Sequence, residues 1–153
     1  MDTYRSLIER LDSSSAETFW FGPAPREEIQ RLEELLGHPL PPSFRLFLQE
    51  CGGGGEVETG VSGIYQSAAK DDKGTVWGDT RRCRERFDLP NALVVIYFSE
   101  DEICWCLDCR RPEKNGESPV VSYNVFSRAV DRKLSPTFAD WFGEYVDLRA
   151  ADI

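Results

Sequence analysis

GPAPREEIQRLEELLGHPLPPSFRLFLQECGGGG, running from Gly22 to Gly55, is the stretch whose reading decides the fold. Ile29, Leu32, Leu35 and Leu36 recur at the spacing of one helix face. Pro25 suits a first helical turn, where its missing N–H would have had no partner. Gly37 can take the left-handed conformation that closes a helix. Leu40-Pro41-Pro42 then restarts the chain at an angle, and Phe44, Phe47, Leu48 and Cys51 form a second stripe before Gly52. The pattern predicts two short amphipathic helices joined by a Leu-Pro-Pro elbow, with Gly52 to Gly55 as a helix stop and a turn.

Before this pair, Tyr4, Leu7, Ile8 and Leu11 predict a first amphipathic helix that ends near Ser13-Ser14-Ser15. Phe19-Trp20-Phe21 reads as a hydrophobic staple fixing the approach to the next helix, with a partner anchor as the alternative. After the glycines, Val57 to Gln66 reads as weak strand broken by Gly60 and Gly63, and Asp71-Asp72-Lys73-Gly74 as a turn. A short helix is expected from Thr80 to Phe87, with Cys83 and Phe87 inward. Its arginines 81, 82, 84 and 86 then form a solvated face paired with nearby acids.

The second half reads as sheet. Ala92 to Phe98 is a continuous apolar run, which fits a central strand buried on both faces. Ser99 to Glu102 has hairpin length, and Ile103 to Asp108 returns antiparallel. Pro112 and Asn115-Gly116 mark a turn before a strand from Pro119 to Phe126. Ser135 is placed as the cap of a last helix, whose stripe of Phe138, Trp141, Phe142, Tyr145 and Val146 must cover a sheet face. The fold class is therefore α+β: residues 1–153 as a single domain, with a mainly antiparallel sheet of about five or six strands and flanking helices.

The helix pair resembles the N-terminal signature of the SUKH superfamily. This group joins Smi/Knr-type regulators of cell-wall synthesis to bacterial immunity proteins. Ile29, Leu32-Glu33, Leu36-Gly37, Leu40-Pro41, Phe44, Phe47-Leu48 and Gly52-Gly53-Gly54 carry the resemblance. Leu89-Pro90, Leu107-Asp108, Pro119-Val120, Phe138 and Trp141 follow in the family's order, while Cys51 stands where an Asn often precedes the glycines. The resemblance implies a non-catalytic protein-binding domain with no cofactor. Its first implied function is a bacterial immunity protein that neutralises a cognate toxin, often a nuclease. The alternative is a regulatory scaffold of the cell-wall-synthesis type.

Composition narrows the partner. A net charge of −9 from 27 acidic and 18 basic side chains opposes direct binding to nucleic acid or to an anionic membrane. It fits either a basic protein partner or a charge that serves solubility alone; the resemblance implies that such a partner is a toxin whose own site binds phosphate. No apolar run approaches the ~20 residues of a membrane span, and Met1 to Arg5 does not open a secretory signal. With five cysteines, an odd number, the expectation is reduced thiols in a cytoplasm. The expected partner surface, chosen on charge and loop position, is Glu100-Asp101-Glu102 with Glu56, Glu58, Asp71, Asp72 and Trp77.

Several residue groups have the elements of a chemical site. Trp105-Cys106-Leu107-Asp108-Cys109 has the spacing of a WCxxC redox site, which makes a thiol–disulfide oxidoreductase using Cys106 and Cys109 a third alternative. The residues that follow read as a turn, not as the helix that would activate a thiolate. Cys104, Cys106 and Cys109 offer three soft ligands where a structural zinc needs four, so packing thiols are expected and no metal. His38, the one histidine, sits at a helix end and is read as a cap. The glycine run lacks the Lys-Ser/Thr and the helix of a phosphate loop.

Overall fold

The computed structural model describes residues 4–99 and 101–151; Glu100 of the expected partner surface lies outside the described residues, as do Met1 to Thr3. Elements follow in the order α1 (Arg5–Asp12), β1 (Thr18–Trp20), α2 (Arg26–Leu36), α3 (Pro42–Glu50), β2 (Gly54–Glu56), α4 (Val76–Phe87), β3 (Leu93–Ser99), β4 (Ile103–Asp108), β5 (Val120–Asn124), β6 (Ala129–Ser135) and α5 (Phe138–Ala150). The fold is α+β. Among the described residues six strands divide into an antiparallel sheet ordered β3-β4-β5-β6 and a two-stranded ribbon, β1-β2.

The helix pair forms as its sequence requires. Gly37 takes φ 95° and its N–H closes α2 on the Glu33 carbonyl at 2.9 Å. The elbow is fastened by the Glu33 carboxylate, whose Oε2 accepts the Leu40 N–H at 2.7 Å and Arg45 Nη2 at 2.9 Å. Arg45 Nη2 also donates to the Leu40 carbonyl at 2.8 Å. One charged side chain thus ties the last turn of α2 to the elbow and to α3.

Two cores lie on opposite faces of the sheet. Val94, Ile96, Leu107 and Val120 meet Phe44, Phe47, Phe138, Trp141 and Phe142 from the helices of the main core. Leu93, Val95, Cys104, Cys106, Val121 and Tyr123 meet Cys83 of α4 in the smaller core. Alternating residues along each strand feed alternate cores, as a pleated backbone demands. Trp141, Phe142, Phe47, Leu36 and Val95 are all buried, as expected.

The structure corrects several expectations. β3 is an outer strand, not a central one. Its unbroken apolar run reflects a core on each face; the hydrogen-bonding edge is covered separately, by Thr80 Oγ1 at the Val95 N–H and by the Ser62 N–H at the Ile96 carbonyl. Phe19-Trp20 lies within strand β1 rather than forming a staple, and pairs with Gly55 and Gly54. The strand sought from Val57 onward therefore falls on the glycines themselves. These glycines are needed for close approach. A Cβ on Gly63 would lie 1.9 Å from the Gly52 carbonyl oxygen, and one on Gly55 would lie 2.5 Å from the Tyr145 hydroxyl.

Helix α4 starts at Val76, earlier than Thr80, because Thr75 caps it by accepting the Gly78 N–H at 3.0 Å. Thr137, not Ser135, caps α5 by accepting the Asp140 N–H. Ser135 instead ends β6, a strand that the sequence reading missed. β6 carries Asp131, Arg132 and Lys133 outward, and its register against β5 shifts twice. Charge and bulges are how an exposed sheet edge is kept from pairing.

Candidate functional site

A cleft of about 390 Å³ opens between the ribbon and the end of β3. Phe19 and Phe21 stand on one side of it and Tyr97 and Phe98 on another; Glu56 and Glu58 lie at the ribbon end, and Lys73 also lines it. Alternation along β1 and into Phe21, whose N–H still bonds the Gly53 carbonyl, explains the first pair, since Phe19 and Phe21 share a face while Trp20 turns toward the main core. Phe19 is 54 % exposed and Val57 is 52 % exposed, so two large apolar groups face solvent side by side with carboxylates. The Phe21 ring lies 6.0 Å from Phe19 and 5.4 Å from Tyr65, and Lys70 Nζ sits 5.5 Å above the Tyr65 ring.

Of the expected partner residues that are described, only two are brought to this cleft. Glu56 and Glu58 both line it. Glu56 also has an internal role: its Oε1 accepts the Thr59 hydroxyl at 2.7 Å and its N–H donates to the Tyr145 hydroxyl at 3.0 Å. Glu58 is exposed in the turn after β2. Asp71 is paired with Arg81 Nη1 at 2.8 Å, and Asp72 with Lys70 Nζ at 3.5 Å. Asp101, with φ 55° at the hairpin tip, is paired with Arg86 Nη2 at 3.0 Å. Glu102 is exposed and its N–H donates to the Ser99 carbonyl. Trp77 is half-buried against the main core with the Arg84 guanidinium 6.0 Å over its ring. Three of the acids thus meet a basic side chain of their own chain. Such exposed pairs contribute little stability, but they cancel charge that a partner would otherwise meet.

The cysteines separate by face. Cys83, Cys104 and Cys106 touch in the smaller core, with Sγ–Sγ distances of 3.8 Å between Cys83 and Cys104 and 3.6 Å between Cys104 and Cys106. Cys109 packs against the other core. Cys106 and Cys109 therefore lie on opposite sides of the sheet, and a β-strand and turn, not a helix start, hold the CxxC spacing. The contact with Cys104 together with burial raises the Cys83 thiol far above its ordinary range, and burial pushes Cys109 up to about 11 and Cys51 to about 12. Raised thiols are poor nucleophiles. Among the described residues no three His, Cys, Asp or Glu side chains are arranged to hold a metal ion.

His38 does not cap α2. Its ring nitrogens lie 3.0 Å from the Pro39 carbonyl and 3.2 Å from the Asn91 carbonyl. The cation at the end of α2 is Arg84, which donates from Nη2 to the Leu36 carbonyl at 3.1 Å.

The model of the SMI1-KNR4 cell-wall family, SUKH_5, matches residues 4–147. The chain belongs to this family. It is an SMI1-KNR4-like SUKH domain, of a family that is generally non-catalytic, and in its elbow Glu33 holds the geometry that Leu40 and Pro41 begin. Among its described residues no helix is long and apolar enough to cross a membrane. The apolar wall of the cleft comes from Phe19-Trp20-Phe21, which the sequence of this SUKH chain offers first as a staple and only in the alternative as a partner anchor. The available signal was the triplet itself, whose outer members fall on one face once the segment is read as strand.

Proposed function

We propose that this SUKH domain is a non-enzymatic, cytoplasmic immunity protein that binds and neutralises a basic protein toxin, such as a nuclease. The observation that carries the reading is the exposure of Phe19 and Val57 beside Glu56 and Glu58 on one cleft. Exposed apolar groups rimmed by charge mark protein contact surfaces, and a −9 chain gains attraction and fast association with a cationic partner. Family membership supports a binding role. The cell-wall description of the matched family supports a second reading, a regulatory scaffold.

The test is co-expression with the toxin encoded beside the native gene. Protection is expected, and Glu58→Lys combined with Glu102→Lys is expected to weaken it. If cells carrying the native pair die as readily as cells without this protein, the immunity reading fails. Altered wall composition in a deletion strain, with no loss of protection, would favour the scaffold.

A further inference from the structure

We propose that the cleft receives an extended, basic segment of the partner by strand addition to the outer edge of β3; this rests on the partner-binding reading above. Tyr97, Phe98 and Ser99 line the cleft in succession. Neighbouring strand residues point to opposite faces of a sheet, so a cavity touching three in a row runs along the strand's hydrogen-bonding edge. Upstream that edge is occupied, by Thr80 Oγ1 at Val95 and by Ser62 at Ile96. The Ser99 carbonyl accepts the Glu102 N–H and faces the hairpin. By antiparallel alternation the Phe98 N–H and C=O turn the other way, into the cleft. An extended chain entering here finds one donor and one acceptor already in strand geometry.

The opposite wall selects the side chains. Glu56, Val57 and Glu58 line the same cleft as Phe98, beyond the point where Val61 pairs with Gly54, so a segment lying in it meets Val57 and Phe19 with its apolar residues. Glu56 and Glu58 outnumber Lys73 among the lining charges, and Glu58 makes no ion pair among the described residues. The aromatic group beside the cleft already holds one ammonium of this chain, Lys70 over Tyr65. A lysine or arginine flanked by apolar residues is the segment this surface fits. Main-chain bonds supply affinity and the alternate side chains supply selectivity in this mode of recognition.

The test uses the full ¹⁵N-labelled chain and a synthetic octapeptide of alternating valine and lysine. Amide shifts are expected at Phe98, Ser99 and Gly55 to Glu58. N-methylation of alternate peptide nitrogens removes the pairing donors and is expected to weaken binding about tenfold. Replacing its lysines by glutamate, or Glu58→Lys in the protein, is expected to weaken it at least as much. Shifts confined to another surface, no shifts, or undiminished binding of the N-methylated peptide would overturn the proposal. With a neutralised toxin in hand, unchanged protection by a Phe19→Asp, Val57→Asp variant would sink the cleft assignment and leave the immunity reading standing. Peptide binding at the cleft without any neutralised toxin would do the reverse.

Discussion

The Tyr145 hydroxyl of α5 lies 3.0 Å from the Glu56 nitrogen and donates to the Thr59 carbonyl at 2.9 Å, so one phenol joins the last helix to the ribbon that borders the cleft. Arg149 lies 3.8 Å over the same ring and bonds Thr59 Oγ1 at 2.7 Å. Tyr145→Phe leaves the Glu56 N–H and the Thr59 carbonyl without that partner. The expected cost is about 1–2 kcal/mol in urea unfolding, with faster hydrogen exchange at Glu56. Unchanged exchange there would show that the ribbon is held by its pairing alone.

Asp79 gives a pH dependence. Its side chain is 2 % exposed, and burial raises its carboxyl above the ordinary 3.8 despite the Ser62 hydroxyl, the Gly74 N–H and Arg82, which act the other way. A carboxyl raised in the folded state contributes most below its unfolded value, and that contribution is lost as pH rises through the folded one. The stability of the native chain relative to Asp79→Asn should therefore fall with rising pH, by at most about 1.4 kcal/mol per pH unit. Urea unfolding of both proteins between pH 4 and pH 8 measures it, and a difference that grows with pH would contradict the assignment.

The thiols should react in an order set by the fold. Cys51, Cys83, Cys104 and Cys106 are buried and Cys109 is half-buried. Iodoacetamide at pH 8 is expected to label native protein slowly, Cys109 first, and all five cysteines once urea unfolds the chain. Mass spectrometry of the timed products checks the order. Rapid labelling of Cys106 in the native state would revive the redox alternative.

Glu33 should be the most sensitive polar residue of the elbow. Glu33→Ala removes the acceptor of the Leu40 N–H and the partner of Arg45. A loss of about 2 kcal/mol is expected, since hydrogen bonds to charged groups contribute about 1.5–3 kcal/mol, and Glu33→Gln should recover part of it. Denaturant midpoints of the three proteins give the answer.

The helices were legible in the sequence because their stripes are clean and their stops are marked: Leu36 to Gly37, Leu48 to Gly52 and Phe138 to Val146 all appear where periodicity puts them. Strand β6 was not, because an edge strand with Asp131, Arg132 and Lys133 facing water has no apolar alternation to read. The position of β3 was misjudged because a side-chain pattern reports the two faces of a strand and says nothing about its edge. The ribbon was hidden for a related reason. Gly54 and Gly55 carry no side chain, and what places them in a strand is pairing with Trp20 and Phe19 from a distant part of the chain, at an approach so close that a Cβ on Gly54 would lie 2.2 Å from the Phe19 carbonyl oxygen. Charge and loop position picked Glu56 and Glu58 beside the cleft, but sequence distance could not show that Arg81, Lys70 and Arg86 would reach Asp71, Asp72 and Asp101.

The two shifts of register in β6 bear on stoichiometry. Growth of a filament by sheet-to-sheet joining requires two receptive rims, since each new copy must present one as it consumes the other. Here the β6 rim of the four-stranded sheet is kinked and charged, so that sheet offers copies of this chain no second receptive rim. Any strand taken up at the opposite rim ends the series at one guest per host.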